Sequence, residues 1–121
     1  MYTLSVEKTI STAHQLRDYN GPCANIHGHN WKVKVEVQSE VVDDMGIVID
    51  FTSLDEKLWE VIGPFDHQLI NLVAPFDKLN PTAENLVKFI YERLQNILTE
   101  KVSLRKVSVW ETDEYMVSYE E

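Results

Sequence analysis

The sequence has few of the features that cross-link a chain or tie it to a membrane. Its 121 residues include one cysteine, Cys23, so no internal disulfide is available, which fits a reducing compartment. No apolar run approaches the ~18 residues that a membrane-spanning helix needs. The N-terminal segment MYTLSVEKTI lacks the basic start and apolar stretch of a signal peptide. We therefore expect a cytoplasmic protein with no membrane partner.

Positive charge is also scarce. Lys and Arg together number 11 against 20 Asp and Glu, which gives a formal net charge of −9. Neutralising the phosphates of a nucleic acid requires clustered Lys and Arg, so the composition argues against general nucleic-acid binding. An anionic small-molecule substrate would need positive charge that is supplied locally at its site.

The remaining composition is that of an ordinary globular protein, with 44% apolar and 26% charged residues. The chain shows no internal repeat, no low-complexity segment and no linker rich in Gly, Ser or Pro. Its length is enough to enclose one hydrophobic core. We therefore expect a single domain over residues 1–121.

Alternation of apolar and polar residues predicts four β-strands. The two long strands are residues 2–14 and 30–42, and the two shorter ones lie around 106–109 and 115–119. Lys8 interrupts the apolar side of the first strand, where a bulge or a twist would accommodate it.

Between the two pairs of strands, apolar residues recur at helical spacing. The first helix should have a capping box from Thr52 through Asp55, and the second should run from near Thr82 to about Thr99. The apolar stripe of the first helix is Phe51, Leu54, Leu58, Val61 and Ile62. This order predicts an α+β fold, with two helices packed on one face of a four-stranded antiparallel sheet. Its two open edges could be closed by oligomerisation.

Three of the four histidines fall at the ends of the two long strands. His27 and His29 share a face with Trp31 if the strand begins by residue 27, and His14 continues the apolar parity of the first strand. If these strands pair as a hairpin, the imidazoles converge, and three histidines with an open fourth position are typical of catalytic zinc. A lone histidine on an apolar face is more often a hydrogen-bonded core residue, and imidazole also suits copper, iron and nickel.

Cys23 lies in the loop segment NGPCAN, four residues before His27. Three interpretations of its thiol are open. It could be a small buried apolar group, a fourth zinc ligand that closes a structural site, or a thiolate that acts as a base or nucleophile beside a metal or imidazole. Its position in a loop favours exposure over burial in the core.

Three acidic residues, one of them beside the fourth histidine, are further candidates for a functional site. Asp66 and His67, in FDHQLIN, could form an acid–base pair, although a solvated surface pair is the commoner outcome. Glu111 has the parity of the buried side of its strand, where a ligand edge with two parallel N–H donors would pair with it. The alternative for Glu111 is a strand-end carboxylate that faces water. Glu84 follows Thr82 by two residues, which is not the spacing of a capping box.

Six segments of the chain together resemble, in order, the motifs of the 6-pyruvoyl-tetrahydropterin synthase/QueD family. They are STAHQL, CANIHGHNW, GIVIDF, FDHQLIN, NPTAEN and VWETD, and they span almost the whole chain. The resemblance implies the tunnelling fold (T-fold), in which the sheets of three subunits join into a barrel and two trimers stack into a homohexamer. It also implies that the pterin pockets lie between subunits.

The resemblance assigns roles to nine residues. It implies three ligands for Zn²⁺, namely His14, His27 and His29. It implies a catalytic group that consists of Cys23 with its acid–base partners Asp66 and His67. It implies substrate-binding residues, namely the pterin anchor Glu111, with Thr82 and Glu84 nearby.

Within the family the chain resembles the QueD type, 6-carboxy-5,6,7,8-tetrahydropterin synthase. Three residues separate Cys23 from His27, and the biopterin-making synthases have a longer gap at the matching position. The resemblance implies conversion of 7,8-dihydroneopterin triphosphate to 6-carboxy-5,6,7,8-tetrahydropterin, with release of acetaldehyde and triphosphate, for queuosine and other 7-deazapurine pathways. The rivals are a 6-pyruvoyl-tetrahydropterin synthase, which eliminates triphosphate, and a pterin- or metal-binding protein without turnover. Basic residues that could contact the triphosphate are Arg17, Lys78, Arg105 and Lys106.

Overall fold

Strands and helices follow each other in the predicted order in the computed structural model, which describes residues 1–121. The strands are β1 (Tyr2–His14), β2 (His27–Ser39), β3 (Ser103–Thr112) and β4 (Tyr115–Tyr119), and the helices are α1 (Phe51–Ile62) and α2 (Ala83–Ile97). Short 3-10 turns lie at Pro22–Ala24, Gly63–Phe65 and Ile70–Leu72. The predicted α+β class is confirmed. No helix combines the length and the apolar character needed to cross a bilayer.

The four strands form one antiparallel sheet in the order β1-β2-β3-β4. β1 and β2 pair without a break over their full lengths and end with His14 opposite His27. The bulge that would accommodate Lys8 does not form. The ammonium group of Lys8 instead bonds to the carboxylate of Asp55 in α1, at 2.9 Å, so its charge is paired on the apolar side of the sheet.

Both helices pack on one face of the sheet, as predicted. Trp31 and the valines that alternate with it in β2 are fully buried there, as are Val107 and Val109 of β3. The buried stripes of the helices are Leu54, Leu58, Val61 and Ile62 in α1, and Leu86, Val87, Ile90, Tyr91 and Leu94 in α2. Burial of such a side chain contributes about 1.5–3 kcal/mol relative to exposure, so this core gives the strand ends a fixed frame.

The end of β2 differs from the prediction. The strand ends at Ser39 rather than at residue 42, because a turn follows it. In this turn Asp43 Oδ1 accepts hydrogen bonds from the backbone N–H groups of Met45 at 2.9 Å and Ile47 at 3.0 Å. β2 ends where its partners begin: Ser39 pairs with Tyr2, the first residue of β1, and Gln38 pairs with Ser103, the first residue of β3.

The start of α1 also differs from the prediction. Asp50 is the N-cap residue, and no side chain caps the first turn, so the capping box from Thr52 through Asp55 is wrong. Asp55 bonds to Lys8 instead. Phe51 is 62% exposed rather than part of the buried stripe, since the buried part of the helix begins only at Leu54.

A short segment after α1 lies along the outer edge of β1. The backbone N–H of His67 donates to the carbonyl oxygen of Ser11 at 2.6 Å, and the backbone N–H of Ala13 donates to the carbonyl oxygen of Gln68 at 3.1 Å. Ala13 also pairs with Leu69 in a parallel bridge. These bonds cover only the C-terminal end of β1, so the rest of this edge and the outer edge of β4 stay open.

Candidate metal centre

The end of the β1–β2 hairpin brings three imidazoles together, as strand parity predicts. His14 lies opposite His27, and His29 lies opposite Thr12. The ring centroids of His14 and His27 are 4.4 Å apart, and those of His27 and His29 are 4.9 Å apart. Glu111, near the end of β3, joins them, and one ligand atom from each of the three histidines and Glu111 lies within 4.8 Å of all the others. We call these four residues the imidazole cluster.

Backbone carbonyl groups determine which ring nitrogen carries the proton in two of the histidines. His14 Nδ1 lies 2.7 Å from the carbonyl oxygen of Pro81, and His27 Nδ1 lies 2.8 Å from that of Asn25. Because a carbonyl oxygen only accepts, each neutral ring carries its proton on Nδ1 and leaves Nε2 unprotonated. Metal-binding histidines are commonly held in this way, with one nitrogen bonded and the other presented to the ion.

Burial favours the neutral form of His14 and His29. His14 is 1% exposed, and desolvation lowers its pKa, against a smaller opposing contribution from the bond to Pro81. Desolvation also lowers the pKa of His29, against the opposing charge of Glu111. Since a metal binds the neutral imidazole, both side chains are held in the form that a metal requires.

The contact between Glu111 and the imidazoles tests whether a metal fits. The Nε2 atoms of His14 and His29 are buried and have no hydrogen-bond partner. Glu111 Oε1 lies 3.3 Å from the first and 3.5 Å from the second. The unprotonated Nε2 of His14 and the carboxylate oxygen are two electron-pair donors face to face, which is unfavourable without a cation to share. Imidazole nitrogens with a carboxylate oxygen are a donor set that suits zinc.

Trp31 forms the floor beneath two of these rings. Its side chain is fully buried, and its ring centroid lies 5.1 Å from that of His14 and 5.4 Å from that of His29, with both pairs nearly perpendicular. Edge-to-face packing of aromatic rings is worth about 0.5–1.5 kcal/mol beyond the area it buries. The indole therefore restricts both imidazoles, so a rigid part of the sheet carries the cluster.

Cys23 lies outside the imidazole cluster. It is half-buried in the turn Pro22–Ala24, and its carbonyl oxygen accepts a hydrogen bond from the N–H of Leu16 at 3.0 Å. Its thiol is not among the converging ligand atoms. The geometry of one chain thus lends no support to Cys23 as a fourth metal ligand, and its role in proton transfer stays a prediction.

Asp66 and His67 form a pair at the outer edge of β1. Asp66 Oδ1 accepts the backbone N–H of Ser11 at 2.9 Å and lies 3.1 Å from His67 Nδ1. The bond from Ser11, followed by the interaction with His67, lowers the pKa of Asp66, so the carboxylate is ionised. His67 has a positive φ of 59°, a left-handed conformation that is uncommon outside glycine and is concentrated at functional sites.

Within one chain this pair is separated from the imidazole cluster. The side chain of His67 is 80% exposed, and the residue lines a depression of about 440 Å³ together with Ser11 and Asn30, whose positions alternate with those of the clustered histidines. His29 also lines this depression, but His67 is not among the converging ligand atoms. The structure therefore does not bring His67 to the cluster of its own chain.

Two other predicted site residues lie at the start of α2. Thr82 is the N-cap, and its hydroxyl accepts the backbone N–H of Asn85 at 3.0 Å. Glu84 is exposed in the first turn of the helix. Neither residue belongs to the imidazole cluster. Thr82 thus has a clear structural role as a helix cap, and the substrate-binding role of both residues stays a prediction.

Three of the four basic residues considered for a triphosphate already have partners. Arg17 donates to three backbone carbonyl oxygens, at 2.7, 3.0 and 3.5 Å. Arg105 and Lys106 lie 3.1 and 3.7 Å from the carboxylate oxygens of Glu36. The fourth, Lys78, is exposed. Arg17 in particular is committed to the backbone of its own chain.

Sequence patterns do not reveal the backbone groups that orient the ligands. Pro81 is 67 residues from His14, and a carbonyl group has no side-chain signature. Asn25 gives a local signal, because it lies two residues before His27 and is of a type that turns the chain. The parity of Glu111 predicts a buried face for its side chain but does not predict its contact with His14.

Comparison with known proteins agrees with this geometry. Residues 3–121 match the family described as 6-pyruvoyl tetrahydropterin synthase. The 6-carboxy-5,6,7,8-tetrahydropterin synthase of Haemophilus influenzae is 30% identical over an alignment of 143 residues that covers 100% of both chains. The 6-pyruvoyl tetrahydrobiopterin synthase of Homo sapiens is 35% identical over 118 residues, which cover 96% of this chain and 77% of the human one.

Solved structures agree as well. The structure of 6-pyruvoyl tetrahydropterin synthase from Caenorhabditis elegans superposes with a TM-score of 0.90 and 27% identity, over 99% of this chain and 95% of that one. The single-chain part of the predicted T-fold, a four-stranded antiparallel sheet with two helices on one face, is therefore confirmed. By sequence and by structure, the chain belongs to the 6-pyruvoyl tetrahydropterin synthase family of pterin-synthesising lyases.

Proposed function

We propose that the chain is a zinc-dependent 6-carboxy-5,6,7,8-tetrahydropterin synthase, which consumes 7,8-dihydroneopterin triphosphate and one water molecule and releases acetaldehyde and triphosphate. The observation that carries the proposal is the convergence of His14, His27 and His29, with Nδ1 of two rings bonded to carbonyl groups. Three histidines that leave a position for substrate are typical of catalytic zinc. Zinc bound there would supply Lewis acidity toward the hydroxyl oxygens of the substrate side chain, which acidifies the adjacent C–H bond.

The choice of product rests on two observations. The Haemophilus influenzae relative named for the carboxy product aligns over 100% of both chains. The short spacing between Cys23 and His27 resembles the same type. The product would then feed queuosine and other 7-deazapurine pathways. The similarity to the human enzyme keeps elimination of triphosphate to a 6-pyruvoyl product as the rival reaction.

The side chains of the protein would divide the proton transfers among them. Cys23, as a thiolate, would remove the proton from the acidified carbon. His67 would return a proton to the ring or to the leaving fragment, with the ionised Asp66 orienting its imidazole across 3.1 Å. Glu111 would accept two parallel N–H donors from the aminopyrimidinone edge of the pterin and so fix the reacting carbon near the cluster.

This site would lie between subunits of a homohexamer, built as a dimer of trimers. The exposure of His67, which is not among the converging ligand atoms of its own chain, supports action on a substrate held by a neighbouring chain. The open edges of β1 and β4 support the joining of sheets between subunits. The net charge of −9 argues against a nucleic-acid substrate. We place the proposed reaction in the cytoplasm.

Product analysis tests the proposal. Zinc-loaded protein is incubated with 7,8-dihydroneopterin triphosphate, and the products are identified by mass spectrometry, with Cys23→Ala as the control. Formation of 6-carboxytetrahydropterin and acetaldehyde, both lost in the control, is the expected result. A 6-pyruvoyl product would assign the chain to the rival reaction. Bound zinc with unchanged substrate would indicate a binding protein without turnover.

A further inference from the structure

Two hydrogen bonds join the side-chain amide of Asn80 to the backbone of Arg17, and the proposed reaction does not use them. We call this pair of bonds the bracket. Asn80 Oδ1 accepts the backbone N–H of Arg17 at 2.8 Å, and Asn80 Nδ2 donates to the carbonyl oxygen of Arg17 at 3.3 Å. A side-chain amide that bonds to both backbone groups of one residue imitates the pairing of two strands. The bracket therefore ties the chain just after β1 to the residue that precedes Pro81.

The side chain of Arg17 holds the same segment from a second direction. Its Nη2 donates to the carbonyl oxygen of Phe76 at 2.7 Å, and its Nη1 donates to that of Leu79 at 3.0 Å. A guanidinium group offers five N–H donors in a rigid plane, so one residue can hold several carbonyl groups at fixed relative positions. Residues 76–80 are thus fixed by both the backbone and the side chain of Arg17.

The segment fixed in this way delivers one atom to the imidazole cluster. Pro81 is buried, and its carbonyl oxygen lies 2.7 Å from His14 Nδ1. The carbonyl oxygen of Asn80 accepts further bonds from the backbone N–H of Thr82 and from Asn85 Nδ2, both at 2.9 Å. Both the side chain and the carbonyl oxygen of Asn80 are therefore hydrogen-bonded. These bonds fix the residue next to Pro81, whose carbonyl group selects the tautomer of His14.

We propose that Asn80 and Arg17 are positioning residues, which set the tautomer and the orientation of His14 through the carbonyl group of Pro81. The inference rests on the proposed function, because it concerns the same metal centre. Neither residue touches the metal or the substrate. Partners of this outer kind typically change metal affinity by about 10–100-fold when they are removed.

Asn71 offers a matched control for Asn80. It makes the same pair of bonds to the backbone of Gln15, with Oδ1 accepting at 2.8 Å and Nδ2 donating at 2.9 Å. Its carbonyl oxygen accepts from Arg17 Nη2 at 3.5 Å, and Gln15 directly follows His14, so Asn71 borders the same histidine, but Asn80 rather than Asn71 adjoins Pro81. Asn71→Ala thus removes the same number and type of hydrogen bonds as Asn80→Ala without freeing the Pro81 carbonyl group.

The test measures two properties of wild type, Asn80→Ala, Asn71→Ala and Arg17→Lys. Chelator competition gives the zinc affinity, and ¹⁵N NMR of the metal-free protein gives the tautomer of His14. We expect Asn80→Ala to weaken zinc binding by about tenfold or more and to mix the two tautomers, with Asn71→Ala within about threefold of wild type. Arg17→Lys keeps the charge but not the planar fork, so its loss of affinity should be intermediate.

The same loss of affinity with the same mixture of tautomers in Asn80→Ala and Asn71→Ala, or no change in either, would overturn the inference, because the Pro81 carbonyl group would then have no separate effect on His14. If Asn80→Ala does not fold, Arg17→Lys decides, and an unchanged tautomer with unchanged affinity would overturn it. Wild-type protein that binds no zinc would contradict the proposed metal centre. The tautomer comparison in the metal-free protein would still decide the role of Asn80.

Discussion

Glu111 and His14 face each other across 3.3 Å, with a carboxylate oxygen on one side and the unprotonated Nε2 of an imidazole on the other. Burial lowers the pKa of His14, which disfavours a proton shared between the two groups. A divalent cation bound by the imidazole nitrogens would lie beside the carboxylate and offset the repulsion between the two groups. We therefore expect the folded chain to be more stable with a bound metal than without one.

Zinc should accordingly raise the melting temperature of the wild-type chain in calorimetry. At a free zinc concentration of about 100 times Kd, linkage adds roughly 2.7 kcal/mol to the free energy of unfolding. His29→Ala should remove most of this gain, because it deletes a member of the cluster. His67→Ala is the control, since His67 lies outside the cluster and is 80% exposed. A gain of the same size in His29→Ala would contradict the assignment.

Asp66 should make stability depend on pH in the acid range. The N–H of Ser11 lowers the pKa of Asp66, so this carboxylate stabilises the folded state above its unfolded-state pKa of about 3.9. That contribution is lost as the pH falls through the lowered pKa of the folded state. Asp66→Asn keeps an acceptor but no charge, so it should be less stable than wild type near neutral pH and converge with it in acid.

Thermal melts of both proteins over this pH range check the prediction for Asp66. Asp44→Asn serves as the control, because Asp44 is an exposed carboxylate in the turn after β2. A difference between wild type and Asp66→Asn that stays constant as the pH falls would show that the bond from Ser11 does not depend on charge.

Glu111→Gln should separate substrate binding from metal binding. Gln offers one acceptor and one donor to a pterin edge that presents two donors, so one charge-assisted bond worth about 1.5–3 kcal/mol is lost. Because about 1.4 kcal/mol corresponds to a tenfold change, we expect KM to rise by about tenfold or more. Zinc affinity should stay near that of wild type. Glu114→Gln, at an exposed position between β3 and β4, is the control. A large loss of zinc affinity with unchanged KM would make Glu111 a metal ligand instead.

Thr82 should contribute to stability as the N-cap of α2. Its Oγ1 accepts the N–H of Asn85 at 3.0 Å, and removal of such a cap typically costs about 1 kcal/mol of unfolding free energy. Urea denaturation of Thr82→Ala should show this loss, whereas Thr82→Ser retains the hydroxyl and should stay close to wild type. Equal destabilisation in both variants would assign the effect to the methyl group rather than to the cap.

The positions of the three histidines could be predicted because strand parity is a local property. His14, His27 and His29 continue the alternation of residues that are buried for their own hydrophobicity, so the register that buries Trp31 also gathers the imidazoles. The core of β1, β2 and β3 therefore brings the three imidazoles together.

The hydrogen bonds of Arg17 and Asn80 could not be predicted in the same way. Arg17 and Asn80 are 63 residues apart in sequence, and their bonds form only after the segment that follows α1 has packed against β1. Alternation did not predict the end of β2 either, since this strand ends where its partner strands begin, at Tyr2 and Ser103. Contacts of this kind depend on the tertiary approach of the segments rather than on the period of either one.

X-ray absorption spectroscopy at the zinc edge of the zinc-loaded wild-type chain tests the metal centre most directly. We predict three imidazole nitrogens at about 2.0–2.1 Å, with oxygen completing the shell and no sulfur ligand. Cys23→Ala should give the same spectrum. A sulfur ligand at about 2.3 Å that disappears in Cys23→Ala would contradict this prediction. It would make Cys23 part of a closed structural site and remove the thiolate from the proposed proton transfer.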